Sequence, residues 1–234
     1  MDTIAYIHTD FREKFGIPRQ SGIVPCRGKI TLVPPYDDPR ALRGLEQFSH
    51  IWVIWGFSGI TDGKEEQKEW SPTVRPPRLG GNRRMGVFAT RSPFRPNHMG
   101  LSCLEIERVE PADEDGPSVY VKGADMMDKT PVYDIKPYVP YADCRPEARG
   151  GFAHTRPRTL EVVYAAEIPP GMTSGKKEEI TAILSQDPRP SYKDDPERIY
   201  GLSYGIYEIK FRGTKEKIEV ISIMKGKENG KERA

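Results

Sequence analysis

Between residues 71 and 104 the chain carries six arginines, Arg75, Arg78, Arg83, Arg84, Arg91 and Arg95, and neither Asp nor Glu. The formal net charge of the whole chain is only +2, so this positive block is local. Guanidinium groups are planar and offer paired donors, which suits carboxylates and phosphates. A solubilising surface loop is also rich in such charges. "RPPRLGGNRR" argues against that reading, because paired prolines and glycines fix the shape of a loop, and a purely solvating loop needs no fixed shape. The block runs into "RSPFRPNHMGLS", residues 91–102, where Pro93 and Pro96 forbid a regular helix and nothing alternates as in a strand. So many donors on an irregular segment point to a loop that holds an anion or another ligand.

Three more segments carry groups able to do chemistry. In "DMMDKTPVYDIKPY", Asp125, Asp128 and Asp134 stand among apolar residues, and a carboxylate there needs a donor partner. An ion pair with Lys136 or with the arginine block meets that need, and so does a ligand's hydroxyl, amine or exocyclic NH group. In "KFGIPRQ", Arg19 and Gln20 follow a proline-set turn. In "DPRPSY", Asp187, Arg189 and Tyr192 follow a helix that Pro188 and Pro190 would end in any case. An Asp–Arg pair beside a Tyr able to stack also suits a nucleobase and its backbone. His50 opens the apolar run "HIWVIWGF", where a lone histidine reads first as a structural residue. His8, His50, His98 and His154 are too scattered for a metal motif, so no metal is expected. Glycine fingerprints of dinucleotide and P-loop sites are absent, as is G-x-S-x-G.

The elements that must position these groups read as β-rich. With 22 Gly and 22 Pro in 234 residues, a turn-rich fold is favoured over a helical bundle. Strands are expected at 4–9, 28–33, 50–57, 84–90 and 103–109, with two more around a polar loop within 118–143. "HIWVIWGF" reads as a fully buried strand. "YDDPRALRGLEQF" reads as a short helix capped by Asp38, with Pro39 at its first position and Leu42 and Leu45 inward. Residues 61–70 form a charged, exposed insertion. "ADCRPEARGGFAHTRPR", residues 142–158, is rich in Arg, Gly and Pro and marks a domain boundary. Beyond it, a strand at 159–165, a helix at 176–186 and a hairpin of 204–211 with 217–223 make an α+β unit. Cys26, Cys103 and Cys144 are far apart and form no C-x-x-C, which argues against disulfides and zinc. Neither a signal peptide nor a membrane span is expected, so the reading is a soluble cytoplasmic protein.

Taken together, "EKFGIPRQSGIVP", "LRGLEQFSHIWV", "RPPRLGG", "MGVFATRSPFRPNHMGLS", "DIKPYVPYAD" and "DPRPSY" resemble the TsaA-like (YaeB, TrmO) family of tRNA methyltransferases, in that family's order. The resemblance implies a small β-barrel S-adenosylmethionine (SAM) domain over residues 1–150 and a smaller α+β domain over 156–234. It implies SAM-dependent methylation of the exocyclic amine of threonylcarbamoyladenosine, next to the anticodon of threonine tRNA, by a homodimer. A SAM site is implied at Pro18, Arg19 and Gln20, at His50 and Ile51, at Arg91 and Leu101, and at the loop Asp125, Met126, Met127 and Asp128. The chain departs from the family pattern at Met126, Met127, Lys129, His98 and Met99. "DPRPSY" then faces the tRNA.

Methyl transfer from a sulfonium mainly requires alignment of donor and acceptor, plus a group to take the amine proton. Asp187 and Asp134 are the candidates for that group. Arg189, Arg78, Arg84, Arg95 and Lys136 would hold phosphates and the threonyl carboxylate, and Tyr192 would stack on a base. Two rival functions fit the same motifs. One is a methyltransferase of the same fold acting on another RNA or a small molecule. The other is a SAM-binding module without catalysis.

Overall fold

The structure, a computed structural model, describes residues 1–57, 70–190 and 195–226. Six antiparallel strands close into a barrel in the order β1 (Ala5–Thr9), β2 (Arg27–Leu32), β7 (Ser118–Lys122), β6 (Met99–Glu110), β3 (His50–Gly56) and β8 (Thr130–Pro137). Among the described residues, closure leaves the barrel itself without a free sheet edge. A short ribbon, β4 (Thr73–Val74) with β5 (Met85–Gly86), shapes the arginine-rich loop.

Period-two alternation fills the barrel. Ala5, Ile7, Ile30, Ile51, Val53, Leu104, Val119, Val121 and Val132 have no exposed surface. Each Val, Leu or Ile among them contributes about 1.5–3 kcal/mol by leaving water. β3 therefore differs from the expected fully buried strand: Ile51, Val53 and Trp55 face inward, while His50, Trp52 and Ile54 are half-exposed on the outside. The continuous apolar run hid this, because its outward positions are aromatic and aliphatic rather than polar.

The chain then passes α1 (Pro140–Asp143) and a largely exposed stretch over residues 142–158. Beyond it lies a four-stranded sheet, β10 (Tyr200–Tyr204), β11 (Tyr207–Gly213), β12 (Lys217–Lys225) and β9 (Glu161–Tyr164), with β9 parallel to β12. Helix α2 (Ser174–Ser185), capped by Thr173, packs Ile180, Ile183 and Leu184 on this sheet. The mainly β reading with a barrel and an α+β part matches the fold. β10 was not expected, because "YGLSY" is short and sits close to the helix-ending loop. The helix read in "YDDPRALRGLEQF" forms as two 3-10 turns, Pro39–Leu42 and Leu45–Gln47. Gly44, at φ 88°, breaks it between them, while Asp38 caps the first turn as expected. Of "RMGVFAT", only Met85–Gly86 is strand, and Val87–Ala89 is another 3-10 turn.

An ion cluster around the buried Glu179 joins the two parts. Glu179, 1% exposed, accepts from Arg27 at 2.9 Å, Lys176 at 2.6 Å and Tyr204 at 3.0 Å. Lys176 also pairs with Asp10. A buried carboxylate persists only with partners of this kind. Beside them, burial pushes the Cys26 thiol up to about 12, which keeps it unreactive.

Candidate functional site

The site candidates gather where three chain segments meet at one end of the barrel. From the first, Gln20 accepts a hydrogen bond from the Arg91 guanidinium. From the second, Ser102 of β6 donates to Asp125 at 2.7 Å and accepts from the indole of the core residue Trp55 at 2.9 Å. From the third, Asp125 lies close enough to feel the Arg91 charge and receives a hydrogen bond from the Ser21 backbone. Burial outweighs these partners and raises the Asp125 carboxyl to about 6. A carboxylate poised near neutrality beside an exposed guanidinium makes a two-signed cradle.

The loop carrying Arg91 is fixed by its own side chains. Arg95 donates to the carbonyls of Thr90 at 3.0 Å and Ser92 at 3.3 Å. His98 Nδ1 lies 3.1 Å from the Pro93 carbonyl. The loop re-enters the sheet through His98, at φ 47°, whose carbonyl accepts from Phe57 at 2.9 Å. Gly100 follows because a Cβ there would strike the Trp55 ring.

Cross-strand register sets out the neighbouring surface. On the outer face of β6, β3 and β8, Leu101, Ile54 and Asp134 form one row, and Cys103, Trp52 and Lys136 the next. Glu105 and His50 form a third, with Tyr138 beyond β8, its ring 6.1 Å from the His50 ring. His50 thus shares a face with Leu101 but stands four residues further along, about 13 Å at strand spacing. Asp134 pairs with Lys136 at 2.9 Å.

Other expected site residues lie apart. Ile51 and Met126 are buried in the barrel core, so their side chains are spent on packing. Asp128 faces β1, accepting from the Thr9 amide at 3.1 Å with His8 at 3.4 Å. Met127 closes the same turn through its carbonyl, which accepts from Thr130 at 2.7 Å. Arg189 is buried and donates to Asp187, to the Gly213 carbonyl and to the Thr214 carbonyl. Asp187, at φ 50°, ends α2 in the left-handed region, as the helix-stop reading of "DPRP" requires. Tyr192 and residues 61–69 lie outside the described residues. Among the arginines, Arg78 is exposed and Arg84 donates to Thr73 at 2.6 Å.

Sequence reasoning missed several groups. Ser102 was hidden because residues 91–102 read as irregular, whereas β6 already begins at Met99 and turns Ser102 inward. Phe88 and Phe94, 71% and 54% exposed within the arginine block, had no periodic signal to mark them. Among the described residues no cluster suits a metal ion, and no helix is long and apolar enough to cross a membrane.

A family model for the tRNA-methyltransferase O N-terminal domain matches residues 6–144, and one for the TrmO C-terminal domain matches 157–226. The chain belongs to the tRNA-methyltransferase O family. It is 38% identical to the tRNA (adenine(37)-N6)-methyltransferase of Escherichia coli K12 over 95% of this chain and 96% of that protein. It is 49% identical to the Eikenella corrodens protein of the same name, over 70% of this chain and 90% of that one. The crystal structure of TrmO from Pseudomonas aeruginosa superposes with a TM-score of 0.71 at 33% identity, covering 95% of this chain and 97% of that one.

Proposed function

We propose that this chain transfers the methyl group of SAM to N6 of adenine 37 in tRNA, and that its acceptor is the threonylcarbamoyl-modified base of threonine tRNA. The observation that carries the reading is the cradle of Gln20, Arg91, Ser102 and Asp125 in a chain related over nearly its full length to enzymes named for this reaction. SAM ends in a zwitterion, and Arg91 and Asp125 are complementary to its carboxylate and ammonium. Pro18 and Arg19 lie on the same loop as Gln20. Leu101 and His50, which share the outer face of the barrel, would hold the rest of SAM.

In the transfer, the C–S bond breaks and a C–N bond forms. The sulfonium leaves as the neutral thioether, and the amine proton passes to a base. Asp134 serves this role better than Asp187, because it shares a row with Leu101, and its pairing with Lys136 engages one oxygen where Arg189 engages both oxygens of Asp187. The exposed Phe88 and Phe94 among Arg78, Arg83 and Arg84 suit unstacked bases and phosphates of an anticodon loop. Half-exposed Trp52 and Ile54 beside Leu101 support a homodimer on this face, and a tRNA substrate supports work in the cytoplasm.

The test mixes protein, methyl-labelled SAM and tRNA with or without the threonylcarbamoyl group. Label in the modified tRNA alone is the expected result. Label in another RNA or in small metabolites means a different acceptor, and SAM left unconsumed means a binding module.

A further inference from the structure

The segment that carries Pro18, Arg19 and Gln20 connects two barrel strands, β1 and β2, yet it does not rest on the barrel alone. Phe11, Val24 and Cys26, near its two ends, are buried in the core of the C-terminal sheet and α2. Phe15, Ile17 and Ile23 pack against that same core. The Phe15 ring stacks on Phe211 at 6.3 Å, and the Phe11 ring meets Tyr204 at 5.0 Å. Gly16, at φ 88°, lies directly on Leu202 of β10: a Cβ there would collide with the Leu202 methyl. Beyond this anchor the loop turns its other side to the barrel. Gln20 accepts from Arg91, the Ser21 hydroxyl accepts from the Cys103 amide at 3.2 Å, and the Gly22 amide donates to the Gly123 carbonyl at 3.0 Å.

We propose that the C-terminal domain sets the position of the 16–21 loop and thereby the affinity for SAM, with Leu202 and Phe211 as positioning residues beneath Gly16 and Phe15. The inference rests on the reading that Gln20, Arg91 and Asp125 hold SAM. Long loops inside compact folds are commonly functional, and their geometry must come from packing because they have no ladder of their own. Here the packing comes from the domain that follows the barrel in sequence. A contact of about one side chain on a glycine two to four residues from the ligand-facing atoms is enough to move them, since packed interiors transmit small shifts.

The test compares Leu202→Ala with Leu184→Ala in the full chain, since both leucines are fully buried in the same core. Both variants should melt earlier than wild type. At a temperature where both are folded, amide exchange across residues 16–21 should be faster in Leu202→Ala and unchanged in Leu184→Ala. The KM for SAM should rise about fivefold or more in Leu202→Ala alone, with kcat at saturating SAM and KM for tRNA unchanged. Leu202→Met, which refills the space, should restore the KM. Equal exchange and equal KM in the two alanine variants would overturn the proposal. Wild-type protein that fails to bind SAM would overturn the SAM reading, and with it the functional half of this proposal, whatever the exchange shows.

Discussion

Arg91 and Arg189 occupy similar surroundings in sequence, and the fold uses them in opposite ways. Each sits in a proline-punctuated motif, "TRSPF" and "DPRPSY". Arg189 is 7% exposed and its donors go to a carboxylate and two backbone carbonyls of its own domain. Arg91 is exposed, donates to Gln20 and faces a carboxyl whose pKa is raised. One guanidinium is largely enclosed by acceptors of the fold, the other is held at the edge of a cradle. A motif's composition does not reveal which. The difference lies in whether the fold supplies enough acceptors to satisfy the group internally.

Removing each arginine should separate the two roles. The largest effect is expected for Arg189→Ala, which leaves two carbonyls without their donor and a partly exposed Asp187 to solvent, and should cost about 2–3 kcal/mol in denaturant unfolding, with SAM affinity of the folded protein unchanged. Arg91→Ala should show the reverse. Its stability should stay within about 0.5 kcal/mol of wild type, while calorimetry should find SAM binding about 10–100-fold weaker, the worth of one charged hydrogen bond. Equal stability losses in both variants would erase the contrast.

Asp125 sharpens it by pH. Its folded pKa of about 6 is above the unfolded value of 3.8, so the folded state holds more protons between them. Its contribution to stability is fully present below pH 3.8 and is lost as pH rises through 6. SAM affinity should run the other way, rising as the carboxylate ionises. Asp125→Asn should flatten both profiles, and a binding profile unchanged by that substitution would remove Asp125 from the cradle. The smallest effect belongs to Arg78→Ala: tRNA binding should weaken severalfold and its salt slope should fall by about 0.7–0.9, with SAM binding unaffected.

Most strands of the barrel were legible because they carry inward aliphatic residues in short runs near Gly, Pro or Asp, while their closure into a barrel was an expectation from motif resemblance. The residues now gathered in the cradle, Gln20, Arg91 and Asp125, were each legible as candidates, but their common site was legible only through motif resemblance, since the fold and not spacing brings them together. Ile51 and Met126 entered the expected site through motif resemblance; strand alternation turns the Ile51 side chain into the core and packing takes that of Met126 there too, so any contact they make with a ligand is through the backbone. The support of the 16–21 loop by the second domain had no local signal. "FGIP" reads as a turn whatever packs beneath it.

The most direct measurement titrates wild type and Arg91→Ala with SAM and with its decarboxylated analogue, which keeps the adenosine and ammonium but lacks the carboxylate. If Arg91 receives that carboxylate, wild type should prefer SAM by about tenfold or more and Arg91→Ala should bind both alike. A preference as strong in Arg91→Ala as in wild type would contradict the cradle as the seat of the cofactor's amino-acid end.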